Sequence, residues 1–148
     1  MAMSDPRIDC EQLMSAVMPF AEQMLSQHGE FYPFAASMSP SGECEMVALM
    51  DDELDDQPDS IELIEKFIEQ FRHEVNSGGF KATAIVYDGV TVPPGKPTQQ
   101  DTVICAVDHR DGFSAKVCFP YSIDGDGGLA IEEPFAAEGD GRIFGDSQ

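Results

Sequence analysis

Basic residues are scarce in this chain. Eight lysines and arginines stand against 28 aspartates and glutamates, a formal charge of −20 over 148 residues. A field of that sign repels phosphate backbones and anionic lipid surfaces, which excludes nucleic acid and membrane as expected partners. It attracts a basic protein surface, although high negative charge is also a device for solubility. Equally missing is any apolar run approaching the roughly 20 residues that span a bilayer. The segment Met1-Ala2-Met3-Ser4-Asp5-Pro6 has no basic stretch followed by an apolar one, so a cytoplasmic location is expected.

The signatures of common chemistry are absent too. Cys10, Cys44, Cys105 and Cys118 are widely spaced and form no Cys-x-x-Cys, which excludes a zinc knuckle and a thioredoxin-like motif. They read as scattered, buried thiols of a reducing compartment. No Gly-x-Ser-x-Gly elbow, P-loop, dinucleotide fingerprint or His-Glu-x-x-His occurs. Asp124 and Asp126 copy the first two ligands of an EF-hand loop, but Leu129 then stands where glycine is needed and Phe135 where a bidentate glutamate is needed. The cluster from Asp51 to Asp56 fails in the same way, with Asp56 at the glycine position. No metal, no cofactor and no catalytic residue is assigned.

What is present suits one α+β domain spanning residues 1–148. The hydrophobic fraction of 42% is ordinary for a globular chain and sufficient for a core. Asp5-Pro6 is a helix start, followed by Leu13, Val17, Phe20, Ala21, Met24 and His28 at three- and four-residue steps and by the stop Gly29. Pro19 should kink or split this helix. Residues 31–38 and 43–50 read as a β-hairpin around Ser39-Pro40-Ser41-Gly42, with Pro33 suggesting an edge strand or a bulge. The acidic run from Asp51 to Asp59 reads as an exposed loop. A second helix follows, with Ile61, Ile64, Ile68, Phe71 and Val75 as its stripe and Gly78-Gly79 as its end.

Four strand-like runs then form a meander at 80–92, 102–109, 113–121 and 129–132. The order α-β-β-α-β-β-β-β predicts an antiparallel sheet of about six strands with two helices packed on one face. Arg110-Asp111-Gly112 as a three-residue hairpin loop sets His109 opposite Phe113, Val107 opposite Ala115 and Cys105 opposite Val117. Cys105 then belongs to the apolar face, and Cys118 points away from His109. That register argues against a Cys–His nucleophile pair, and His109 reads as a surface or capping residue.

Several phrases carry a likeness: His28-Gly29-Glu30-Phe31-Tyr32-Pro33-Phe34, Ala84-Ile85-Val86-Tyr87-Asp88, His109-Arg110-Asp111-Gly112 with Phe119-Pro120-Tyr121, and Glu133-Pro134-Phe135 with Gly141-Arg142-Ile143-Phe144. In this order, over nearly the whole chain, they resemble a family of small acidic bacterial proteins of unknown function. The resemblance implies a bacterial, cytoplasmic single domain and carries no catalytic residues with it.

Two functions are compatible with these features. The leading one is a non-enzymatic protein-binding module, immunity-like or chaperone-like, whose acidic residues Asp51, Asp52, Glu53, Asp55 and Asp56 engage a basic partner. The alternative is a small-molecule binder or an enzyme with a pocket between sheet and helices, for which Tyr87, His109 and Tyr121 are the candidate polar groups. An edge strand at residues 31–34 would also invite a symmetric homodimer.

The tail from about residue 133 is too rich in glycine and acids for regular structure, yet it holds Arg142, Ile143 and Phe144. Arg142 is the only lysine or arginine after Lys116 and has several carboxylates to pair with. Burying one phenylalanine contributes about 1.5–3 kcal/mol, so the tail is expected to dock through Phe144. Deleting residues 142–148 should therefore lower the melting temperature, and deleting only 145–148 should leave it unchanged. Equal melting temperatures for the full chain and the longer truncation would show that the tail makes no contribution to the fold.

Overall fold

The computed structural model describes residues 6–29, 31, 33–47, 60–74, 79–110, 112–125 and 128–139. Asp51, Asp52, Glu53, Asp55 and Asp56, and the tail residues Arg142 and Phe144, lie outside the described residues. The chain runs α1 (Pro6–His28), β1 (Phe34–Met38), β2 (Cys44–Val47), α2 (Ser60–Glu74), β3 (Ala82–Thr91), β4 (Gln100–His109), β5 (Ser114–Ile123), β6 (Leu129–Ile131) and β7 (Phe135–Glu138). This is an α+β fold with an antiparallel sheet in the order β2-β1-β3-β4-β5-β6. β7 pairs with β5 at residues 115–118, on the same edge that β6 occupies at residues 121–123.

Local chemistry accounts for the turns. Gly29 ends α1 with φ 76°, its N–H donating to the Leu25 carbonyl at 2.8 Å, a left-handed cap that a side chain would strain. Gly112 takes φ 98° in the β4–β5 hairpin, whose first closing bond runs from His109 N to Phe113 O at 2.8 Å. Val107 therefore pairs with Ala115 and Cys105 with Val117, the register that a three-residue loop dictates.

Four expectations change. The helices do not share a face. α1 packs Leu13, Val17 and Ala21 on Ala36, Ala84 and Val86, whereas α2 packs Phe67, Ile68 and Phe71 on Ala35 and Ile85, neighbours of opposite pleat in the same two strands. The contiguous runs Ala82–Val86 and Val103–Cys105, buried at every position, are what two-sided coverage requires. Second, α1 is one helix and is not split at Pro19, which sits on the exposed side where a carbonyl without its helical donor can reach solvent. Third, β1 is internal and β2 is the edge; Pro33 precedes β1, where its missing donor costs nothing. Fourth, the segment after Glu133 contains a strand, β7, because β5 is long enough to pair with two short partners in succession.

In α2 the core stripe is Leu63, Phe67 and Phe71, and Ile61 is 68% exposed. The two cores lie on opposite sides of β3, so truncations in them should act independently. Leu13→Ala is expected to cost about 2–5 kcal/mol and Phe71→Ala about 3–5 kcal/mol. In urea denaturation the double variant should lose the sum to within about 0.5 kcal/mol. A coupling well beyond that would place both helices against one shared core.

Candidate functional site

α1 lies over β1, β3 and β4 and touches β6. Beyond it, β5 carries Ala115, Val117 and Phe119 on the same face, half-buried where β4 is fully buried. The result is an open groove of about 1100 Å³ between α1 and the β5–β6–β7 edge. Its helix wall contains Cys10, Met14 and Met18, spaced four residues apart, of which Cys10 and Met18 are buried and Met14 is partly exposed. Val117 and Phe119 form the floor, and Leu129 and Ile131 of β6 close the far side with Ala136 of β7. Arg7, Glu11, Glu22, Glu132 and Glu138 stand at its margin, four acids to one base. Glu132 also accepts a hydrogen bond from Gln100 Nε2 and lies 3.8 Å from Lys96 Nζ.

A buried ion cluster pins the N-terminal end of α1. Asp9 Oδ2 lies 2.8 Å from His109 Nε2 and 3.3 Å from Lys81 Nζ. Asp9 is 6% exposed, Lys81 8% and His109 2%. A carboxylate can only accept, so His109 donates from Nε2. His109 is thus neither a surface residue nor a cap, because the first turns of α1 cross the sheet where β3 begins and β4 ends.

The sequence-derived candidates do not converge. Tyr87 is half-buried on the α2 face. Tyr121 is buried on the α1 face and donates to Asp88 Oδ1 at 2.8 Å. His109 is opposite the start of β5, eight residues from Tyr121, roughly 26 Å at about 3.3 Å per residue. The groove residues that sequence reasoning passed over carried a signal. Cys10, Met14 and Met18 run beside Leu13, Val17 and Ala21, so α1 has an apolar sector wider than one contact stripe needs.

The thiols are poorly suited to nucleophilic work. Burial pushes Cys10 up to about 12, with Asp108 and Asp9 adding to the effect, and burial also raises Cys105. Cys118 rises through burial, partly countered by Lys116. Exposed Cys44 is raised as well. Thiols held in the neutral form are weak nucleophiles and weak metal ligands. Among the described residues no group of three or more His, Cys, Asp or Glu side chains is placed to hold a metal ion, and no helix is long and apolar enough to cross a membrane.

No protein-family model, curated protein or solved structure matches the chain.

Removing one partner from a buried ion cluster leaves uncompensated charge, whereas a half-exposed pair is screened by water. Asp9→Ala is therefore expected to cost about 3–5 kcal/mol. Glu132→Gln, which breaks the exposed contact with Lys96, should cost under about 1 kcal/mol. Similar losses for the two variants in chemical denaturation would remove Asp9 as the anchor of α1.

Proposed function

We propose that the protein is a non-enzymatic binding module for a basic partner protein and that the groove between α1 and the β5–β7 edge is its site. The observation that carries this reading is the groove's composition, an apolar floor inside a margin of four acids and one base. Protein interfaces bury an apolar centre inside a polar rim, and complementary rim charge raises the encounter rate. The formal charge of −20 extends that attraction beyond the groove. Asp51, Asp52, Glu53, Asp55 and Asp56 contribute to this field, which needs no single fixed contact. The bacterial, cytoplasmic setting implied by the chain's resemblance is consistent with an immunity-like or chaperone-like role.

Selection of randomised peptides on the native protein should enrich sequences that combine apolar and basic residues. Their affinity should fall as salt rises from about 0.05 M to about 0.5 M. It should also fall roughly tenfold or more in Ala136→Arg, which sets a cation at an exposed groove position. Enriched peptides indifferent to both changes would sink this reading. Salt-insensitive binding of a long-chain fatty acid, with no peptide enriched, would instead favour a small apolar ligand in the same groove.

A further inference from the structure

Resting on that reading of the groove, we propose that its first occupant is the chain's own C-terminal segment, residues 140–148, which a basic partner must displace. An apolar floor with an acidic margin calls for apolar and basic side chains together, and this segment has them. Arg142, Ile143 and Phe144 set one cation beside two apolar groups. The acids Asp140 and Asp146 stand outside that triad.

The segment starts at the margin of the groove. β7 runs antiparallel to β5, from Phe135 beside Cys118 to Glu138 beside Ala115. The Gly139 N–H then donates to the Ser114 carbonyl at 3.2 Å, and a Cβ there would lie 2.6 Å from the Ala115 nitrogen, an approach that glycine permits. Ser114, Ala115 and Glu138 all line the groove. Phe144 is five residues beyond Gly139, a reach of about 17 Å at about 3.3 Å per residue. Val117 is three residues along β5 from Ser114, about 10 Å away, so the segment reaches the floor with length to spare for a turn.

The groove is shaped for a few side chains. α1 touches β6, which narrows it at the level of residues 121–123 of β5. At the level of β7 the floor is low. Ala115 and Val117 lie beside Ala136, which is exposed, and Met14 on the helix wall is only partly buried. A ring laid over two alanines fills that space, and Phe144 is the largest apolar side chain the segment offers. Arg142, two positions earlier, falls to the marginal acids Glu11 and Glu138. Tethering favours this occupant, because a segment joined by a few residues acts at an effective concentration in the millimolar range. The apparent affinity of a partner is then reduced by the fraction of chains whose groove is open.

The test is methyl NMR on the full chain, with Met14 reporting on the groove and Met38 and Met46 on β1 and β2, away from it. Phe144→Ser should move the Met14 methyl and leave Met38 and Met46 in place. A synthetic peptide with the sequence of residues 140–148 should return the Met14 signal toward its original position. It should bind the variant at least about threefold more tightly than the unaltered chain. A Met14 methyl indifferent to Phe144→Ser, or a response at Met46 instead, would overturn the proposal. With the peptides selected in the preceding test still bound equally by both proteins, the groove reading would stand. A Met14 signal that changes with protein concentration would put the segment in the groove of a second copy and overturn the tethered occupant. If Met14 responds to Phe144→Ser but the selection enriches no apolar and basic peptide, the segment belongs to the core, and both the displacement and the partner reading fall.

Discussion

The rest of the structure depends on the period-two alternation of β1, β3 and β4, strands that are buried on both faces. In β3, Ala82, Ala84 and Val86 face α1, and Thr83, Ile85 and Tyr87 face the other way. A register slip of one residue would exchange these sets and place Thr83 beneath Leu13 and Val17. Small residues at Ala35, Ala36, Ala82 and Ala84 let both helices approach the sheet closely. One buried side-chain polar atom remains without a hydrogen-bond partner among the described residues, Thr83 Oγ1, on the face opposite α1. It marks the end of the sheet where packing is polar, between Ser37 and Asp108 in the neighbouring strands.

The position of α1 on that surface is fixed by polar and apolar forces together. Apolar packing along Leu13, Val17, Ala21 and Leu25 is non-directional and would tolerate sliding. The Asp9–His109–Lys81 cluster does not tolerate it, because moving Asp9 strands charges that have already been taken out of water. Desolvation makes such a cluster a weak source of net stability and a strong source of registry. By holding α1 over β1, β3 and β4, it leaves β5 to form the groove floor.

The groove and the charge of the chain act at different ranges. The −20 charge works over distances limited by salt, about 8–10 Å of screening length under physiological conditions. An apolar floor acts only on contact. Phe119, Val117, Leu129 and Ile131 are only partly buried although their types favour the interior, while residues of the same kinds over β3 and β4 are sealed.

Much of the fold was legible in the chain because its signals are local. Gly29 and Gly112 mark a helix stop and a hairpin, the loop length fixes the β4–β5 register, and the apolar period of residues 61–71 requires a helix whatever it packs on. The groove was legible only in outline, as an apolar sector on α1 wider than one stripe. Three things were decided by tertiary structure. Which face α2 covers follows from how the chain crosses the sheet, and a helical stripe states that a face is buried without stating against what. Where His109 ends up depends on Asp9, a hundred residues away in sequence, arriving above it. Whether Val117 and Phe119 are core or surface depends on how far α1 extends across the sheet. Each is a relation between distant segments, and the residues that enter it look the same in sequence either way.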